Sequence, residues 1–131
     1  MDLSQVKPGL TGSAQATVTG ENTADHIGSG HVAAFATPAM IALMEKAAVS
    51  AVTPHLPPGW QTVGIRVDVE HLAATPPGLT VTAQAELLQV DGRRLTFRVV
   101  ANDGHDLIGE GTHQRVIIDL ERFRARLAAK A

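Results

Sequence analysis

Cysteine is absent from the 131 residues. That excludes disulfides, thiolate metal sites and a cysteine nucleophile, and it suits a reducing cytoplasm. Aromatic residues amount to 3%, so Ala, Val, Leu and Ile must fill whatever core forms. Neither sign of charge prevails. The formal charge of -2 leaves no basic stripe for a phosphate backbone and argues against nucleic acid as a partner. No apolar run approaches the ~20 residues a membrane helix needs. The opening Met1-Asp2-Leu3-Ser4-Gln5 lacks the charged and then apolar stretch of a signal peptide. Internal repeats and low-complexity linkers are also missing. One cytoplasmic domain spanning residues 1–131, with no membrane role, is the expectation.

What is present is a chain 44% hydrophobic and 18% charged, enough to bury a real core. Residues 13–19 alternate weakly up to Gly20 and predict a first strand. Residues 20–31, with three glycines, Asn22, Asp25, His26 and His31, predict a loop. Thr37-Pro38 predicts a helix start, with Thr37 as N-cap and Pro38 at the first helical position. From Pro38 to Val52 only Glu45, Lys46 and Ser50 interrupt an apolar run. A helix apolar almost all round is expected to be wrapped by protein, and Thr53-Pro54 with Pro57-Pro58-Gly59 ends it.

Four strand-like runs follow. In the first, Val63, Ile65, Val67, Val69 and His71 share one parity. After a turn at Pro76-Pro77-Gly78, residues 79–88 place Leu79, Val81, Ala83, Ala85 and Leu87 on one face. Asp91-Gly92 is a hairpin signal leading to residues 93–101, with Leu95, Phe97, Val99 and Ala101 inward. Asp103-Gly104 turns into residues 106–118. Asp119 can cap a final helix bearing Leu120, Phe123 and Leu127 as an apolar stripe. Antiparallel strands with one apolar face need a cover, and the only long apolar element is the helix over 38–52. The order predicts an α+β protein of the hotdog type, a curved antiparallel sheet wrapped around a central helix. An ordinary α+β sandwich fits the same string.

Three residues invite chemistry. Glu45 sits among Ile41, Ala42, Leu43, Met44, Ala47, Ala48 and Val49, where a carboxylate is costly unless paired; the bland alternative is a narrow solvent seam shared with Lys46. His71 continues an apolar parity, which fits either a functional imidazole or a satisfied core histidine. Thr37 needs no role beyond capping. His26 and His31, five apart in a glycine-rich loop, make an unpersuasive metal pair. Eight residues separate Thr37 from Glu45, ~12 Å along an unbroken helix, so the two side chains cannot meet within one chain.

Several motifs change the weighting. Phe35-Ala36-Thr37-Pro38-Ala39-Met40-Ile41-Ala42-Leu43-Met44-Glu45, His71-Leu72-Ala73-Ala74-Thr75-Pro76-Pro77-Gly78-Leu79-Thr80-Val81, Val90-Asp91-Gly92-Arg93-Arg94-Leu95, Asp103-Gly104 and Ile108-Gly109-Glu110-Gly111-Thr112-His113 occur in colinear order. Across roughly residues 30–127 the chain resembles the fluoroacetyl-CoA thioesterase-like family. The resemblance implies a hotdog fold and hydrolysis of a short acyl-CoA thioester without metal or other cofactor. It places the family's threonine, glutamate and histidine on Thr37, Glu45 and His71, and its oxyanion-associated glycine on Gly64. Either the substrate spans the gap between Thr37 and Glu45, or Thr37 of one subunit faces Glu45 of another; the hotdog fold implies a homodimer or larger homo-oligomer with sites at the interface, which favours the second. Members specialised for the fluorinated substrate resemble one another in a phenylalanine-bearing lid before the helix. Here the matching positions are Gly28 and His31, with Phe35 the only nearby aromatic, so broad short-acyl activity is expected. Two other readings stay open: an (R)-enoyl-CoA hydratase using Asp25 and His31, and a non-catalytic acyl-CoA or small-molecule binding module.

Overall fold

The computed structural model describes residues 2–131. Its elements run β1 (Thr11–Thr17), α1 (Ala24–Ile27), α2 (Thr37–Val52), a 3-10 turn (Thr53–His55), β2 (Trp60–His71), β3 (Thr80–Asp91), β4 (Arg94–Asn102), β5 (Leu107–Asp119) and α3 (Leu120–Lys130). The five strands form one antiparallel sheet in the order β1-β3-β4-β5-β2, and α2 lies in its concave face, closest to β1 and β3. This is the hotdog arrangement, and the sandwich alternative falls away. Gly12 marks the closest approach, since a Cβ there would collide with the Ala47 carbonyl and the Ser50 hydroxyl of α2.

The inward parities expected for β3 and β4 are correct. Val81, Ala83, Ala85 and Leu87 join Leu95, Phe97, Val99 and Ala101 in the core. Between these strands Gly92 takes the left-handed φ of +62° that the first turn position requires. Asp119 caps α3 as expected, accepting from the Arg122 N–H. The stripe on α3 finds little to cover it, and Leu127 remains 55% exposed.

Four expectations need correction. First, residues 20–31 are not wholly loop. Ala24–Ile27 make a helical turn stopped by Gly28 at φ +90°, and the segment is stitched back by hydrogen bonds from Ala24 and Asp25 N–H to the Ala34 and Val32 carbonyls. Second, Ala36, not Thr37, is the N-cap of α2, and no side chain caps it; the Thr37 hydroxyl is engaged elsewhere. Third, α2 is not wrapped all round within one chain. Met40, Leu43, Met44, Ala47, Ala48, Ala51 and Val52 form one buried stripe, while Ile41, Glu45 and Val49 are only half-buried.

Fourth, β2 does not keep one parity. Its register against β5 slips between Gly64 and Arg66, so Ile65 is the extra residue of a bulge. Directly opposed residues share a face. Thr62 and Gly64 therefore face inward with Ile117 and Arg115 before the bulge, and Val67, Val69 and His71 face inward with His113, Gly111 and Gly109 after it. Val63 falls on the other side and Ile65 is 46% exposed. A one-residue insertion reverses every side chain beyond it.

Candidate active site

Two clusters of polar side chains lie along the open side of α2, facing β2. The first joins the helix start to the end of β2, where Thr37 Oγ1 is 2.7 Å from His71 Nδ1. Thr37 is already the first residue of α2 and Ala36 is the N-cap, so its hydroxyl is not committed to capping the helix. The far nitrogen of the ring, His71 Nε2, is buried and has no hydrogen-bond partner among the described residues. A buried unpartnered polar atom points to a missing ligand or a chemical task. Burial pushes the His71 pKa down against an opposing contribution from the Ala73 backbone, so the ring favours its neutral form. Beside this pair lies a cavity of about 390 Å³ with walls from Val32, Phe35, Leu72, Ala73 and Ala74.

The second cluster centres on Glu45, one face of whose carboxylate rests against the backbone of β2. A Cβ on Gly64 would stand 2.6 Å from Glu45 Oε2, so only glycine leaves room for the carboxylate in this place. Arg115 NH1 donates to Glu45 Oε2 at 3.3 Å. Arg115 is itself 6% exposed, and a buried guanidinium is tolerable only when its donors are satisfied. Its Nε donates to Thr62 Oγ1 at 2.8 Å, its NH2 to the Thr62 carbonyl at 3.0 Å, and NH1 also to His113 Nε2 at 3.1 Å. The pairing that a carboxylate among apolar neighbours requires is thus supplied by Arg115. Its side chain stays 40% exposed, and Oε1 has no protein partner among the described residues.

His113 completes the cluster from below, 2% exposed and stacked on Phe97 with ring centroids 6.3 Å apart. Its Nδ1 is 2.7 Å from the Arg66 carbonyl. A carbonyl only accepts, so Nδ1 carries the proton and Nε2 is the acceptor that meets Arg115. Burial pushes the His113 pKa down, the Arg66 carbonyl opposes this, Arg115 lowers it further and Glu45 raises it; the net direction is down, consistent with a neutral ring.

The structure therefore pairs Thr37 with His71 and Gly64 with Glu45, but within one chain it does not bring the two pairs together. Phe35 is 3% exposed and lies in the cavity wall. His31 stays exposed on the loop before α2 and does not line that cavity. Asp25 accepts from Thr23 Oγ1 at 2.6 Å and makes no bond to His31. Thr62, His113 and Arg115 were not singled out by sequence reasoning. The available signal was the alternation His113, Arg115, Ile117 on β5. An arginine at a core parity demands an acid, and Glu45 is the carboxylate of the central helix.

A family model described as fluoroacetyl-CoA-specific thioesterase matches residues 18–121. A fluoroacetyl-CoA thioesterase from Streptantibioticus cattleyicolor is 55% identical over 96 residues, covering 73% of this chain and 69% of that protein. A threonine-to-serine variant of the fluoroacetyl-CoA thioesterase FlK, solved in complex with acetyl-CoA, superposes with a TM-score of 0.90 at 43% identity over 95% of this chain and 98% of the other. A hot-dog-like protein from Thermanaerovibrio acidaminovorans shares the fold at 24% identity, with a TM-score of 0.88 over 99% of this chain and 97% of its own.

Proposed function

The chain belongs to the fluoroacetyl-CoA-specific thioesterase family, and on that premise we propose that it hydrolyses short-chain acyl-CoA thioesters to the free acid and CoA. The observation that carries this reading is the Glu45 carboxylate, held over Gly64 by Arg115 with one oxygen free. Such a group is fixed in direction yet available to react. It can take a proton from water as the hydroxide adds to the thioester carbonyl, or attack that carbon itself and give a mixed anhydride that water then opens. In either course the carbonyl electrons move to oxygen and return as the C–S bond breaks. CoA leaves as the thiolate and takes up a proton. The bare backbone at Gly64 lines the oxyanion side, where a preorganised donor is worth most.

Thr37 and His71 act on the same substrate from a second subunit. Helix geometry supports this, because eight residues hold Thr37 ~12 Å from Glu45 along one α2. The surface supports it too: Ile65 and Val67 on the edge strand β2 are 46% and 41% exposed, an apolar edge of the kind proteins cover. In the assembled dimer His71 orients or activates the water, and Thr37 fixes the ring by its hydrogen bond. The acyl group is short, and fluorine is not strongly preferred. His31 and Gly28 stand where specialised members have phenylalanine, and Val32, 62% exposed, is a poor shield against water.

Release of free thiol from a panel of acyl-CoAs tests the reading. A thioesterase yields CoA thiol, a hydratase changes only the absorbance of an enoyl substrate, and a binding module does neither. No thiol from any short acyl-CoA would overturn it.

A further inference from the structure

Arg115 NH1 stands between two acceptors, Glu45 Oε2 at 3.3 Å and His113 Nε2 at 3.1 Å. Those two acceptors are 3.9 Å from each other, too far to bond and close enough to repel without the guanidinium between them. The orientation of the imidazole is in turn set by the Arg66 carbonyl, which belongs to the residue where the β2 register slips. A continuous chain thus runs from the bulge in β2, through the ring, to the guanidinium and the carboxylate. We propose that His113 is a positioning residue for the thioester hydrolysis proposed above: bonded through Nδ1 to the Arg66 carbonyl, its Nε2 fixes the Arg115 guanidinium and thereby aims the Glu45 carboxylate at the substrate.

The alternatives for Arg115 show why the ring is needed. Four N–H bonds hold the guanidinium: two to Thr62, one to His113 and one to Glu45. The guanidinium is planar and rigid, so the Thr62 bonds to Nε and NH2 restrain one edge of it, and the bonds from NH1 to His113 and Glu45 fix its remaining tilt. Without an acceptor at His113, NH1 keeps only the carboxylate, and a half-exposed carboxylate is free to follow it. A buried donor left unpaired also favours rotation toward any other acceptor. Displacing a reacting group by about 1 Å can cost up to ~10²-fold in rate. Substrate affinity, set elsewhere on the acyl-CoA, changes little.

The role rests on the thioesterase reading, so wild type and Glu45→Gln are measured beside the His113 variants by thiol release from acetyl-CoA. His113→Asn keeps a donor near the Nδ1 position but loses the acceptor for Arg115. It is expected to lower kcat by about 10- to 100-fold while KM stays within about threefold. His113→Gln, whose amide oxygen reaches the Nε2 position, restores most of that loss. Thr62→Val removes a different restraint on the same guanidinium and is expected to reduce kcat with the same indifference in KM; it carries the test if the histidine variants fail to fold. An Asn variant with wild-type kcat per folded molecule overturns the positioning role, as does an equal loss in Asn and Gln that tracks thermal stability. If wild type itself releases no thiol, the hydrolytic reading fails and the positioning role falls with it. If wild type is active and Glu45→Gln is not, only the behaviour of His113 is being judged.

Discussion

Glu45 combines two properties that normally exclude each other, a fixed orientation and an oxygen left free to react. Arg115 supplies the first from a buried position, and the half-exposed side chain keeps the second. Glu45→Gln preserves size and a hydrogen-bond acceptor but removes the base and nucleophile. Loss of ~10²-fold or more in kcat is expected with the fold intact by circular dichroism, and turnover near the wild-type rate would reduce Glu45 to a surface seam. His71 differs in that its near nitrogen is occupied by Thr37 and its far nitrogen has no partner. His71→Ala is expected to damage kcat more than KM. Burial also lowers its pKa from the ordinary 6.5, so the neutral ring that accepts a proton persists on acidification, and the acid limb of kcat/KM should fall below that pH. A variant less stable but fully active per folded molecule would assign His71 to the core alone.

Among the elements, β2 determines the site. Its bulge lets Gly64 and His71 both face α2 although seven residues apart, an odd separation that a regular strand would send to opposite faces. Gly64→Ala tests the close approach directly. The new Cβ would stand 2.6 Å from Glu45 Oε2, 3.2 Å from His113 Cε1 and 3.3 Å from Arg115 NH1, the carboxylate must yield most, and kcat is expected to fall roughly 10- to 100-fold with the fold intact by circular dichroism. Unaltered kcat would mean that the contact between Glu45 and Gly64 has no bearing on turnover. The central helix was readable from Pro38 to Val52 because its residues favour helix throughout. Its N-cap was not, since Thr37 answers to a histidine 34 positions away.

The whole molecule leaves two surfaces uncovered in a single chain, the apolar edge of β2 and the half-buried face of α2 carrying Ile41, Glu45 and Val49. A homodimer or larger assembly is expected, because a two-fold pairing would cover both surfaces and bring the partner's Thr37 and His71 to Glu45. Light scattering showing an active monomer at micromolar concentration would contradict both the assembly and the shared site. Specificity belongs to this scale too, since it depends on how well the closed site excludes water. The ratio of kcat/KM for fluoroacetyl-CoA over acetyl-CoA is expected below about a hundred, within what one apolar contact can supply; a preference of several orders of magnitude would show that the loop carrying Gly28 and His31 seals the site by other means.

From the sequence alone came the order of the five strands and the two longer helices, the turns at Gly92 and Gly104, the core faces of β3 and β4, and the choice of Thr37, Glu45 and His71 as candidates for chemistry. These follow from local periodicity, from residues with strong backbone preferences, and from colinear family motifs. Tertiary structure alone decided which way β2 faces, because a one-residue slip leaves no mark on an alternating pattern until the partner strand fixes the register. It also decided what surrounds the carboxylate: Arg115 lies 70 positions from Glu45 and His113 lies 47 from Arg66. A buried charge announces that a partner must exist, but only the folded sheet selects which residue, from so far along the chain, can reach it.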